Sequence, residues 1–244
     1  MQLIVDIGNT RVKAAVFNND ELIQLFVFET TNDFLTAKIL EKHNIQQCIL
    51  ASVVNEIDSF IAKLKEKVNV LLFNSNTPTP IQNVYKTAHT LGSDRLAGGV
   101  GGNYLFPNTN LLVIDCGTCI KYNFVNSNNQ YMGGGISPGL KMRLKALNTF
   151  TARLPQLEVD ETFQTLIGTN TNESILSGVQ NGAVAEIEGI IEQYKKNYDN
   201  LTIVLTGGDT NFFEKRLKKP IFADPYLILK GLNQILLHNF KNKQ

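Results

Sequence analysis

Apolar and polar positions change period several times along the chain. Residues 2–7 are a short apolar run ending at the turn signal Gly8-Asn9-Thr10, and residues 11–17 alternate around Val12, Ala14 and Val16. After the turn Asn18-Asn19-Asp20, residues 21–29 read as a third strand, which predicts an antiparallel meander with tight connections. The spacing of Phe34, Leu35, Ile39 and Leu40 then predicts a helix over 31–43. Residues 48–53 read as a buried strand, 56–67 as a helix and 69–73 as another strand. The resulting order, β-β-β-α-β-α-β, demands parallel crossovers on part of the sheet, with helices covering it.

Phe106-Pro107-Asn108-Thr109-Asn110 is a linker signal, and the pattern restarts after it. Leu112 to Thr118 has the character of Ile4 to Thr10: an apolar strand ending in Asp-x-Gly-polar. Each leads into an alternating strand, Val12/Ala14/Val16 in the first case and Ile120/Tyr122/Phe124 in the second. With one gap, Lys13 and Lys121 also align. A duplicated domain, divided into residues 1–108 and 109–244, accounts for this; two unrelated strand-turn-strand units would give the same outline. The second half continues with a helix after Pro138, a loop over 151–170, a helix near 172–197, a strand at 201–205 and a last helix over 226–240.

Composition narrows the class. A chain of 244 residues can bury a sizeable core without staples. The net charge of +1 argues against a nucleic-acid partner, which calls for a basic excess or stripe. The densest basic run, 215–219, reads as a solvated helix end. Three cysteines give no disulfide framework, and Cys116-x-x-Cys119 has no second pair to complete a zinc site. The N-terminus has no basic leader and no apolar run reaches membrane-span length, so a cytoplasmic protein without a membrane partner is expected.

Three segments offer phosphate chemistry. Asp6 stands at a strand end, Gly8 admits close backbone approach, Asn9 and Thr10 supply donors and Lys13 a cation. A carboxylate beside phosphates calls for a metal between them, and Mg²⁺ favours one or two carboxylates plus substrate phosphates. Asp115-Cys116-Gly117-Thr118 repeats this chemistry, and Thr206-Gly207-Gly208-Asp209 offers a side-chain-free surface on which a purine can lie. Each alone is also an ordinary turn. Neither a P-loop nor a Rossmann glycine pattern is present.

In this order the three segments resemble the acetate and sugar kinase, Hsp70 and actin superfamily. The resemblance implies an α/β fold of two ribonuclease-H-like domains, each a mixed sheet with flanking helices, and ATP in the interdomain cleft. Gly92-Ser93-Asp94-Arg95, followed by Gly98-Gly99-Val100-Gly101-Gly102, looks like the signature of type III pantothenate kinases. Gly133-Gly134-Gly135-Ile136-Ser137-Pro138-Gly139-Leu140 and Ile167-Gly168-Thr169-Asn170-Thr171 continue the likeness over nearly the whole chain. It implies ATP-dependent phosphorylation of pantothenate to 4'-phosphopantothenate, the first step of coenzyme A biosynthesis. Asp6, Ile7, Gly8, Asn9, Thr10, Arg11, Val12 and Lys13 would bind the ATP phosphates, Asp6 meeting Mg²⁺ through them, and Thr118 would contact ATP. Tyr85, Gly92, Ser93, Asp94, Arg95 and Thr171 would bind pantothenate, with Asp94 the catalytic base. Asp115 would hold K⁺ or NH₄⁺, and the enzyme would be a homodimer. One segment departs from the family pattern. Relatives commonly read Ala-x-Thr-x-Asp where this chain has Cys119-Ile120-Lys121-Tyr122-Asn123, so Lys121 brings a charge to the cation site. Another small-molecule kinase on the same fold, or a regulatory relative without catalysis, are the alternatives; the latter could lose Asp94 without penalty.

Overall fold

A computed structural model describes residues 1–8, 10–36, 38–54, 57–218 and 221–241. The elements in chain order are β1 (Gln2–Ile7), β2 (Val12–Asn18), β3 (Glu21–Phe28), α1 (Thr31–Thr36), α2 (Ile39–Lys42), β4 (Gln47–Ser52), α3 (Asp58–Lys65), β5 (Asn69–Leu72), β6 (Gln82–Asn83) and α4 (Ser93–Leu105). Then follow β7 (Leu111–Cys116), β8 (Cys119–Val125), β9 (Gln130–Pro138), α5 (Leu140–Thr149), α6 (Thr171–Leu176), α7 (Gly182–Asn197), β10 (Thr202–Thr206), α8 (Thr210–Glu214), β11 (Phe222–Ala223) and α9 (Leu227–Lys241). They form two units: Met1–Asn108 with Asn128–Met132 and Tyr226–Gln244, and Thr109–Ser127 with Gly133–Pro225.

The first unit is built on a sheet of order β3-β2-β1-β4-β5. The meander read from the sequence is there: β1 pairs antiparallel with β2, and β2 with β3. The crossovers are there too, since β4 lies parallel to both β1 and β5. Leu3, Val5 and Ile7 face one core with Phe34, Ile39, Phe60 and Leu64 of α1–α3. The helix expected over 31–43 is broken, because Lys38 adopts φ 53°. Phe34 and Ile39 are both buried, and positions five apart on one straight helix would point roughly 140° apart. The break turns both inward.

On the other face, α4 and α9 pack on the central strands and on each other. A Cβ on Gly101 would overlap the Leu227 carbonyl oxygen, and one on Gly231 would overlap that of Ala97. Gly101 and Gly231, each costing about 1 kcal/mol of helix propensity against Ala, let the two backbones touch. The start of β9, Gln130 and Tyr131, also belongs to this unit, where it pairs in parallel with β6.

In the second unit the order is β11-β10-β7-β8-β9, the same sequence of neighbours as in the first. β7 is antiparallel to β8 and parallel to β10, which is parallel to β11. Leu112, Ile114, Cys116, Ile120 and Tyr122 face a core closed by Leu140, Leu144, Ile175, Ile187 and Phe213 of α5–α8. The segment 133–138 is a strand rather than the glycine-rich turn it resembles in sequence. The residues read as one helix over 172–197 run through α6, a π-helical turn at Ser177–Asn181 and α7.

Candidate active site

The first unit places Asp6 at the end of β1, opposite Lys13 in the β1–β2 ladder. The Gly8 N–H closes the turn by donating to the Arg11 carbonyl at 3.0 Å. Thr10 and Arg11 are exposed, whereas the side chains of Ile7 and Val12 lie in the core, so the latter two can offer a ligand only backbone. Asn9 lies outside the described residues. A Cβ on Gly8 would come no closer than 3.4 Å to the chain, at the Arg11 carbonyl, so packing does not account for this glycine.

At the start of α4, Gly92 is the N-cap and Asp94 lies in the first turn, where the helix dipole favours a carboxylate. Asp94 Oδ1 accepts from the Arg95 N–H at 2.8 Å, and a Cβ on Gly92 would stand 2.7 Å from that oxygen. Glycine at 92 therefore makes room for the carboxylate. Arg95 is buried, with its guanidinium carbon 5.7 Å from the centre of the Tyr85 ring. Tyr85 in turn meets Tyr131 edge-on at 6.4 Å. The structure thus brings together Tyr85 and Arg95, two of the residues expected to bind substrate. The Ser93 hydroxyl is buried without a hydrogen-bond partner among the described residues.

Topology relates Asp94 to Asp6. β1, β4 and β5 are parallel, so their carboxyl ends share one edge of the sheet. Phe73, Asn74 and Ser75, which follow β5 at that edge, line a small cleft with Ser93 and Leu96 of α4. Asp6 lies on the sheet face opposite Val5 and Ile7, away from α1–α3. Ligands of open α/β sheets gather at this edge.

In the second unit Asp115 ends β7, opposite Lys121 on β8 and Thr206 on β10. Lys121 Nζ donates to Asp115 Oδ2 at 2.6 Å, and both side chains are largely enclosed, at 18% and 9% exposure. A second cation about 4 Å from that ammonium would be repelled by about 4 kcal/mol at an effective dielectric of about 20. The Cys116 thiol is buried and its pKa is pushed up, first by burial and then by Asp115 and Asp209, which leaves it a poor metal ligand. Among the described residues no group of three or more His, Cys, Asp or Glu side chains could hold a metal ion.

Three loops converge at the carboxyl ends of β7, β9 and β10. The Gly139 N–H donates to the Thr118 carbonyl at 3.1 Å, and the Asp209 N–H to the Cys116 carbonyl at 2.9 Å. Gly207 has φ 101°, and a Cβ there would stand 2.5 Å from Asp115 Oδ1. By contrast, a Cβ on Gly117 or Gly208 would meet nothing within 4 Å, and Thr118 is exposed. Burial, with Asp115 nearby, raises the Asp209 carboxyl above the usual range, against the pull of Lys141.

Thr171 opens α6 and is exposed. Much of the Ile167–Thr171 motif caps that helix: Asn170 Oδ1 accepts from the Glu173 N–H at 3.0 Å, and Glu173 Oε2 accepts from the Thr169 N–H and hydroxyl at 2.8 Å. The π-helical turn holds the loop before it. Gln180 exchanges hydrogen bonds with the Asp160 backbone, Asn181 Nδ2 donates to the Thr165 carbonyl, and the Ser177 hydroxyl to that of Leu166. Single π turns often mark functional helices, but nothing in the sequence distinguishes one from an unbroken helix.

Sequence reasoning also missed a network behind β8 and β9. The Tyr122 hydroxyl donates to Glu186 Oε1 at 2.9 Å, and Arg143 pairs with Glu186 Oε2. Arg143 also donates to the Ser137 hydroxyl and the Pro138 carbonyl, each at 2.8 Å, and so braces the chain entering Gly139. The basic run at 215–219 is only partly a solvated end. Arg216 stacks on Phe212 at 4.0 Å and donates to the Glu161 and Phe163 carbonyls, while Lys219 lies outside the described residues.

A family profile for type III pantothenate kinases matches residues 2–193. A type III pantothenate kinase of Flavobacterium johnsoniae is 44% identical over 99% of this chain and 100% of its own length. Among solved structures, a conserved protein assigned to the Baf family of transcriptional activators, from Campylobacter jejuni, superposes with TM-score 0.64 at 21% identity, covering 98% of this chain and 99% of that one. A glucokinase from an Antarctic psychrotroph superposes with TM-score 0.53 at 14% identity, covering 98% of each chain. These two likenesses establish the fold: two ribonuclease-H-like α/β domains of the sugar kinase, Hsp70 and actin type.

Proposed function

The chain belongs to the type III pantothenate kinase family, and from that premise we propose how its own residues share the work. The reaction is the ATP-dependent phosphorylation of pantothenate in coenzyme A biosynthesis. The observation that carries the assignment of roles is Asp94: a carboxylate in the first turn of α4, at the sheet edge where the β1–β2 turn also emerges.

Pantothenate presents a primary hydroxyl too weakly acidic for a carboxylate to ionise beforehand. Phosphoryl transfer has a loose transition state, so the proton leaves late. Asp94 orients the hydroxyl and accepts its proton as the new bond forms, which an ordinary carboxylate can do. Arg95 and Tyr85 form a cationic and aromatic wall for the substrate's polar groups, with the Ser93 hydroxyl and Thr171 as further donors. Asp6, Lys13 and the backbone of residues 7–12 serve the phosphates. Gly117 and Gly208 fit such a ligand, because a side chain at each would meet open space, and at Gly8 a side chain would meet only the Arg11 carbonyl, at 3.4 Å. Thr118 stands beside Gly117 to contact ATP. Mg²⁺ on the phosphates would neutralise developing charge, and Asp6, a half-buried carboxylate at a strand end, fits it. A K⁺ or NH₄⁺ ion on Asp115 fits less well, since Lys121 already occupies that carboxylate.

In chain order the duplication divides into domains 1–108 and 109–244, while by packing α9 and the start of β9 belong with the first. A cytoplasmic homodimer completes the reading. The α4 glycines do not argue for the dimer, because Gly101 serves contact with α9. Ile136, Phe150, Leu166 and Ile167, all 62–85% exposed, are apolar side chains that such an interface would cover. Among the described residues no helix is long and apolar enough to cross a membrane.

ADP formation with Mg·ATP, measured with and without pantothenate, tests the assignment. Pantothenate-dependent ADP release is expected; release indifferent to pantothenate but stimulated by another alcohol would refute it. A regulatory relative without catalysis would give neither.

A further inference from the structure

The cross-strand pair at the end of β7 points to a change in how this enzyme handles cations. Asp115, Lys121 and Thr206 lie side by side on three neighbouring strands, on the sheet face opposite the α5–α8 core. Asp115 is 6% exposed, and one of its carboxylate oxygens already accepts from Lys121 Nζ at 2.6 Å. The other lies near the Gly207 turn, close enough to exclude a Cβ there. Thr206 adds one hydroxyl and no charge, and that hydroxyl has no hydrogen-bond partner among the described residues. An alkali cation needs several oxygen ligands, and this row offers it a carboxylate already neutralised. An ammonium group carries the charge of K⁺ and is close to it in size, and a lysine holds one in place without having to bind it from solution.

We propose that Lys121 is a tethered ammonium ion that replaces the external monovalent cation at Asp115, so that the enzyme works equally well without K⁺ or NH₄⁺. Lys121 would act as a positioning residue. It fixes the charge and conformation of Asp115, against which the Gly207–Asp209 turn is packed through the Asp209 N–H to Cys116 carbonyl bond. The inference rests on the kinase reading for its link to ATP but not for its link to cations.

The test compares the wild-type protein and Lys121→Ala in NaCl, KCl and NH₄Cl at matched ionic strength, which removes general screening. Three quantities are read: pantothenate-dependent ADP formation, the ATP Kd by calorimetry, and the thermal midpoint without nucleotide. For the wild type all three should agree among the salts, rates and Kd within about twofold. Lys121→Ala should bind ATP about tenfold more weakly in NaCl, and KCl or NH₄Cl should restore most of that loss and raise its midpoint. Severalfold activation of the wild type by K⁺ or NH₄⁺ would overturn the proposal. So would a Lys121→Ala protein unchanged in NaCl, or one weakened but not rescued by either ion, which would assign Lys121 to strand packing alone. If Lys121→Ala does not fold, the wild-type salt comparison decides by itself. If no salt supports turnover, the kinase reading fails separately. The wild-type midpoint then still decides: a rise in KCl over NaCl counts against the tethered ammonium, and equal midpoints count for it.

Discussion

The β1–β2 and β7–β8 hairpins are two versions of one device. Both set an aspartate at the end of a central strand opposite a lysine on the next, Asp6 with Lys13 and Asp115 with Lys121. Both sheets then continue with the same neighbours. The copies differ in enclosure. Asp6 is half-buried and its turn exposes Thr10 and Arg11, while Asp115 is buried and bonded to Lys121 at 2.6 Å. The same charges on the same register therefore stand half-exposed in one unit and enclosed as a bonded pair in the other. Enclosure, rather than residue type, separates the two.

If the first unit holds the chemistry, the largest effect should come from Asp94→Asn. Asn keeps the shape but cannot take the proton, so kcat should fall by about 10²–10⁴ while the ATP Kd stays nearly unchanged. Steady-state kinetics with nucleotide titration measures both. Near wild-type turnover would reduce Asp94 to a helix-capping acid and remove the asymmetry between the units.

Gly231→Ala tests whether α9 positions that chemistry. The new methyl would overlap the Ala97 carbonyl, and overpacking of this kind costs about 1–3 kcal/mol. A lower denaturation midpoint together with reduced turnover is expected, because α4 carries Asp94 as well as the contact.

The glycines of the second unit sharpen the comparison at smaller scale. Gly207→Ala should destabilise by about 1–2 kcal/mol for its left-handed backbone alone, and more for the overlap with Cys116 and Asp115. Gly117→Ala and Gly208→Ala should leave stability within about 0.5 kcal/mol, since each methyl meets open space, yet weaken ATP binding severalfold. Calorimetric Kd values beside thermal melts separate the classes. Unchanged ATP affinity in the latter two would mean that their open space faces solvent rather than nucleotide.

The smallest effect concerns pH. Burial pushes the Glu186 carboxyl up, but its bonds with Arg143, Ser137 and Tyr122 outweigh this and hold it below the ordinary range. A lowered folded value means the contribution is complete above the ordinary glutamate range and is lost as pH falls through the lowered value. Wild type should therefore exceed Glu186→Gln in stability by about 0.5–1 kcal/mol at neutral pH, with the gap closing in acid. A gap that persists in acid would assign the difference to packing.

Much of this was legible in the chain. The strand–turn–strand pattern around Asp6 and its echo around Asp115 placed both hairpins, and the one-gap alignment of Lys13 with Lys121 matched the register. These features are local: alternation, turn residues and strand ends are written in consecutive positions. The segment 133–138 carries no strand signal in the sequence, because three glycines have no alternating side chains, yet in the sheet they are a strand. The pairing of Arg143 with Glu186, 43 residues apart, left no signal in either segment.

The sequence by itself determined the strand order β1 to β5, the duplicated Asp-x-Gly hairpins and the Gly92–Arg95 segment, because each depends on neighbours within a few residues. Only the tertiary structure decided what the charges and glycines do. It returned α9 to α4, so that Gly101 and Gly231 became helix contacts. It closed Lys121 onto Asp115 while leaving Thr10 and Arg11 exposed. Composition and spacing fix which groups a strand presents, but enclosure depends on what packs above that strand from distant parts of the chain. A half-buried carboxylate and one enclosed with a lysine therefore look alike in sequence and differ in what the fold packs over them.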